Sequence, residues 1–178
     1  MNTTNLKKFA TEARNKLIAQ ITAKLTYVLK EETAELKAKK YQIGKLREEI
    51  GKSNQQQVIE TAAYTWFNRF IALRFMDVNG YTSPRVLTPD DGYTVPAILQ
   101  DAKSGVFPDE LLVNKERVLG LLDGKIQHLN PQAEAFRMLI VASCNAYGTM
   151  MPFLFEQIED WTELLIPDDL LSDNSILA

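Results

Sequence analysis

Few residues in this 178-residue chain could do chemistry, and the first to test are Pro89-Asp90 followed by Asp101-Ala102-Lys103. That order matches the outline PD…(D/E)xK, in which two carboxylates hold Mg²⁺ and a lysine steadies the attacking water. Such a nuclease site requires those residues on adjacent strands of one sheet. Here Pro89-Asp90 opens a turn-rich stretch, and Asp101 sits in a short helical pattern ended by Gly105. A Mg²⁺-dependent PD-(D/E)xK nuclease domain is therefore the lowest-ranked reading, and carboxylates that lie off a sheet end it. His128, the sole histidine, stands beside an Asn130-Pro131 cap, so a histidine-based dyad or a metal site built on it has little support in the sequence. Cys144 is the sole cysteine, which excludes an internal disulfide and a thiolate cluster. Its run, LIVASCNAY, reads as the setting of a buried structural thiol. No Ser or Cys occupies a nucleophile elbow, and no glycine-rich strand-to-helix turn offers a cofactor cradle. The expectation is no catalytic, metal-binding or cofactor-binding residue in this chain.

Charge offers a second kind of site. Residues 1–52 hold twelve Lys and Arg against six Glu, a balance of +6 within a chain whose net charge is -3. The candidate phosphate contacts are Lys7, Lys8, Arg14, Lys37, Lys39, Lys40, Lys45 and Lys52. A basic arm on an acidic body suits nucleic acid or an acidic partner surface. It equally suits a solvated amphipathic helix packed on its own body, and the residues favour that plainer reading.

The elements that would position these groups are helical. Leu6, Phe9, Ala10, Ala13, Leu17, Ile21 and Leu25 recur at steps of three and four, one stripe of a first helix. A second charged helix, or a continuation of the first, follows, with Gly44 as a candidate break. Ser53 or Asn54 caps a central helix, about 54–79, which stops at Asn79-Gly80. On a helical wheel Ile59, Ala62, Ala63, Trp66, Phe67, Phe70, Ile71 and Leu73 share one broad face. Trp66, Phe67 and Phe70 are its structural bulk, and a helix so apolar belongs at the middle of a domain. Arg69 lies at the edge of that face, where it can snorkel to water. Arg74 falls inside the apolar sector, with Asp77 three residues on. It therefore either pairs with Asp77 or bonds carbonyls of the following loop, or else lines a groove and meets a phosphate. The structural role is preferred.

A long loop, 80–95, is dense in Pro, Gly, Asp and Thr. Thr94-Val95-Pro96 starts a short helix, and Pro108 opens another that ends near Gly124. Asn130-Pro131 starts a helix lasting to Gly148, and FLFEQIEDWTELL is a last short one. No run of alternating β-branched residues appears. The class is mostly α: a compact multi-helix domain around the aromatic-rich helix, with 1–52 a basic helical segment and 53–178 a helical core. No apolar run is long enough to span a membrane, and the polar N-terminus lacks a signal peptide's apolar core, so a cytoplasmic protein is expected.

Several strings go beyond pattern. VIETAAYTWFNRFIALRFMDVNGY, MNTTNLKKFATEARNKLIAQITAKL and FRMLIVASCNAYGTMMPFLFEQIEDWTELLIPDDLLSDNSIL resemble the N-terminal region of a family of large adenine-specific DNA methyltransferases. These are the PglX-like enzymes of bacteriophage-exclusion (BREX) systems, related to single-chain restriction-modification enzymes. The resemblance covers essentially the whole chain and is most specific over 64–81. It implies an N-terminal domain of a longer chain that methylates the N6 amine of adenine with S-adenosylmethionine. The family's cofactor site and its NPP-aromatic motif lie downstream of the matching region. Asn130-Pro131-Gln132-Ala133 is not that motif, since the second proline and the aromatic are missing and a helix start accounts for Asn-Pro. The resemblance implies no cofactor in this segment and S-adenosylmethionine in the parent. Its implied partners are the rest of the methyltransferase chain, with DNA and other phage-defence subunits as further candidates, and no membrane. Two roles compete: a helical scaffold or interaction domain, inactive alone, and a module that binds the DNA backbone through its basic first helices.

Overall fold

The computed structural model describes residues 3–155 and 161–177. Among them are eight helices and no strand, only an isolated bridge between Pro89 and Pro96. The mostly-α class and the long loop after the aromatic helix are therefore observed. None of these helices is long and apolar enough to cross a membrane.

The chain divides into two compact units, Met1–Asn68 with Glu159–Pro167 and Arg69–Ile158 with Asp168–Ala178. In the first, α1 (Thr3–Lys30) buries Ala13, Leu17, Ile21, Leu25 and Val28, the continuation of the stripe read from sequence. Phe9, expected on that stripe, is 53% exposed, and the side chain of Leu6 lies outside the described ones. Thr33 accepts from the Leu36 N–H and caps α2 (Ala34–Ala38). α3 (Lys40–Lys52) then runs straight through Gly44, so the expected break is absent; one glycine costs a helix only about 1 kcal/mol. Leu46 is its buried anchor. Asn54 caps α4 (Gln55–Val78) by accepting from the Gln57 N–H. Trp66 is fully buried and donates its indole N–H to the carbonyl of Thr162, 2.9 Å away and 96 residues on. Thr162 belongs to α8 (Trp161–Leu164), which packs on α3 and α1. Residues 156–160 of the expected last helix lie outside the described residues.

In the second unit, α5 (Ala97–Lys103) and α6 (Lys115–Leu122) pack on each other and on α7 (Pro131–Gly148). The helix expected from Pro108 begins only at Lys115. Asn114 caps it through the Arg117 N–H, outcompeting the proline because a side-chain acceptor satisfies an otherwise orphaned donor. Asn130 caps α7 in the same way through Ala133. All residues of α7 from 133 to 144 except 138 are buried. They include Glu134 and Arg137, joined by two hydrogen bonds of 2.7 Å. At its end Gly148 lies so close to the backbone of residue 155 that a Cβ would stand 2.5 Å from the Phe155 carbonyl oxygen.

Candidate functional site

The most highly organised polar feature of the second unit is the loop after α4. Asp77, 3% exposed, sits on the last turn of that helix. Its Oδ1 accepts from the Thr82 hydroxyl at 2.6 Å and the Val86 N–H at 2.8 Å. Its Oδ2 accepts from the N–H groups of Leu87 at 2.7 Å and Thr88 at 2.9 Å. Four donors on one carboxylate saturate it, which is what a buried charge requires. The helix ends there because Gly80 adopts φ 69°, and the Tyr81 N–H closes back on the Met76 carbonyl. The loop then serves α5: the carbonyls of Thr88 and Arg85 accept from Ala97 and Ile98, first-turn donors that a helix cannot satisfy itself. Ser83-Pro84 is cis. A cleft of about 500 Å³ opens beside the loop, with Asp77, Thr82, Arg85, Asp90 and Asp101 in its wall.

Arg74 reaches this loop by another route than the two structural ones expected. Its Nη1 donates to the Thr88 hydroxyl at 3.0 Å and its Nη2 to the carbonyl of Leu177 at 2.7 Å; it bonds neither Asp77 nor a carbonyl of 80–95. Arg69 does not snorkel: it is 4% exposed, and its positive charge acts on Cys144. Burial outweighs that charge and pushes the Cys144 thiol up to about 12, a setting without a nucleophilic thiolate. Trp66 and Phe70 are buried and Phe67 half-buried. Ile71 was expected with them but is 45% exposed, because the far side of α4 is apolar too and the wheel has no polar face to orient it.

The nuclease outline does not survive. Asp101 is on α5, Asp90 is in the loop, and no strand among the described residues carries either. Asp90 Oδ1 is taken by Arg85, at 3.0 Å from Nε and 2.6 Å from Nη2. His128 accepts the Asn130 N–H at Nδ1, a local bond ahead of the α7 cap.

The eight basic candidates all lie in the first unit. Lys7, Lys8 and Arg14 are on α1, Lys37 on α2, Lys39 between α2 and α3, and Lys40, Lys45 and Lys52 on α3. Five stand in ion pairs: Lys8 with Glu12, Lys37 with Glu32, Lys39 with Glu35, Lys45 with Glu48, and Lys52 with both Glu48 and Glu49. The hydrogen bond from Lys52, then the charge of Lys45, hold the Glu48 carboxyl below its usual range. Most of these pairs are three or four residues apart, so the spacing of acids and bases already carried the signal. Lys7, Arg14 and Lys40 have no ionic partner among the described residues. The Glu134–Arg137 fork has the same i,i+3 spacing, but its burial had no local signal, and the carboxylate cradle of Asp77 had none at all, since its partners lie five to eleven residues on in a loop.

Fold and site together define an α-helical protein module whose best-built polar centre holds a loop in place. No family model matches the chain. It is 32% identical over 201 aligned positions, 99% of its own length, to the adenine-specific methyltransferase BrxX of Escherichia coli O9:H4 (strain HS). It is 36% identical over 112 positions, 61% of its length, to the adenine-specific methyltransferase PglX of Lacticaseibacillus casei (strain Zhang). The chain belongs to the PglX-like family of BREX adenine-specific methyltransferases. It spans only 16% and 9% of the lengths of those two relatives.

Proposed function

We propose that this chain is the N-terminal helical domain of an S-adenosylmethionine-dependent DNA adenine-N6 methyltransferase in phage defence, and that it works in the cytoplasm. Its role there is that of a scaffold on which the rest of the methyltransferase, or other defence subunits, assemble. The observation that carries this reading is a match along 99% of the chain to a methyltransferase of whose length it spans 16%. The described residues do not suit S-adenosylmethionine, since none lies on a strand that could present a glycine-rich turn to it. On this reading other polypeptide holds the cofactor, and this domain supports the chemistry by holding that polypeptide. Loop 80–96, fastened to a buried carboxylate, fits a rigid support. Methyl transfer by the full-length enzyme, with and without residues 1–178, tests the reading: transfer is expected to fall on deletion, and undiminished transfer refutes it.

A second reading rests on Lys7, Arg14 and Lys40, exposed and without ionic partners among the described residues. They could neutralise DNA phosphates. A titration of this chain with duplex DNA separates the two, because each neutralised phosphate adds about -0.9 to the slope of log K against log salt. The scaffold reading expects no binding even at low ionic strength.

A further inference from the structure

The last turns of α4 carry large apolar side chains on the solvent side. Ile71, Phe75 and Val78 are spaced by four and three residues, which sets them on one face of the helix. They are 45%, 60% and 74% exposed. Tyr81, just past the helix end and 67% exposed, meets the Phe75 ring edge-on, with centroids 6.2 Å apart. Leu73, Met76 and Asp77 take the buried side of the same turns, so this face is additional to the core and not part of it. Contiguous exposed apolar side chains with paired aromatics are the composition of an interface centre.

A second observation bears on its occupant. Arg74, on the turn that joins Ile71 to Phe75 and Val78, holds the carbonyl of Leu177 at 2.7 Å. In a longer chain of this family, whatever follows Ala178 departs from a point pinned within one arginine's reach of that face. The curated relatives devote 84% or more of their length to polypeptide outside the matched segment, the remainder after 16% and 9%. A tethered partner has an effective concentration that a free one lacks.

We infer that the face formed by Ile71, Phe75, Val78 and Tyr81 is the seat of the remaining polypeptide of the methyltransferase itself. The inference rests on the scaffold reading above and gives it a surface. The loop cradle keeps the seat in shape: Asp77 lies between Phe75 and Val78 in sequence, and it fixes the loop that carries Tyr81 and Thr82.

Hydroxyl-radical footprinting tests this on two proteins, this chain alone and the full-length methyltransferase that contains it. The expected result is several-fold slower oxidation of Phe75 and Tyr81 in the full-length protein. Equal rates in both overturn the inference. So does slowing in this chain alone that grows with its concentration, which would mean a second copy sits there, or slowing that appears only after DNA or another defence subunit is added. A Phe75→Asp, Tyr81→Asp double variant provides a second readout, its folding checked by circular dichroism in this chain alone. In the full-length protein it should speed protease cleavage just after residue 178 several-fold; Leu112→Asp, at a position 91% exposed elsewhere, should leave that rate unchanged. If deletion of residues 1–178 abolishes methyl transfer while the footprint is unchanged, the scaffold reading stands and this seat is wrong.

Discussion

Replacing Asp77 separates a decorative hydrogen bond from one that holds a loop. An asparagine there has one oxygen where the carboxylate has two. With its nitrogen in the Oδ2 position, it would face the N–H groups of both Leu87 and Thr88, donor against donor. With its nitrogen in the Oδ1 position, it faces the Thr82 hydroxyl, which can turn and accept, and orphans only the Val86 N–H. Asparagine should settle in that second arrangement. The loss is then one buried donor and the charge assistance to the others, about 2–4 kcal/mol. Asp77→Ala orphans the donors of both Val86 and Leu87, each at a buried residue, and weakens two more, for about 4–6 kcal/mol. Against the stability of a folded domain, about 5–15 kcal/mol, that is a large share, so the alanine variant should unfold at much lower urea than the parent. Urea unfolding followed by far-ultraviolet circular dichroism gives the global number, and amide hydrogen exchange at Val86, Leu87 and Thr88 gives the local one. If Asp77→Asn lies within about 0.5 kcal/mol of the parent and exchange at those amides is unaltered, the cradle does not hold the loop.

The Glu134–Arg137 fork should behave as a unit: Arg137→Met alone leaves a buried carboxylate and should cost about 3–5 kcal/mol, while Glu134→Leu with Arg137→Met should recover most of that in a double-mutant cycle. Gly148→Ala should cost about 1–3 kcal/mol, because its Cβ meets a backbone oxygen that cannot rotate away. Gly44→Ala, in the open middle of α3, should instead stabilise by about 0.5–1 kcal/mol, and the two melting curves should move in opposite directions. Cys144 should resist thiol reagents at pH 8 until urea is added. Its pKa rises from 9.0 to about 12 on folding, so its contribution to stability is complete below pH 9 and lost as pH climbs towards 12. A native-state labelling rate equal to that of a free thiol would contradict this.

Local signals proved legible where one side chain meets one nearby backbone group. Asn54, Asn114 and Asn130 all cap helices, and the first and third were readable as caps from their neighbours alone. Asn114 was hidden because Pro108 offered an earlier start that nothing local could veto. Periodicity sufficed for α1 from Ala13 onwards, where one face is apolar. It failed on α4, where Ile71 and Phe75 continue the apolar character onto the outer face. The partners of Arg74 were illegible for a different reason: Leu177 is 103 residues away, and no spacing rule reaches that far. The lysine pairs of α3 were readable in principle from their i,i+3 and i,i+4 glutamates, and they leave fewer free cations than the count of basic residues implies.

The bond from the Trp66 indole to the carbonyl of Thr162 has a bearing on how this protein can be taken apart genetically. The first unit is closed by α8, whose residues leave the ribosome almost a hundred positions after the helix they complete. Nascent residues 1–68 therefore lack the Thr162 acceptor until that later segment is made. A stop codon placed anywhere before residue 162 leaves that indole without its acceptor, so dissection of the two units calls for excision and rejoining instead of a single cut.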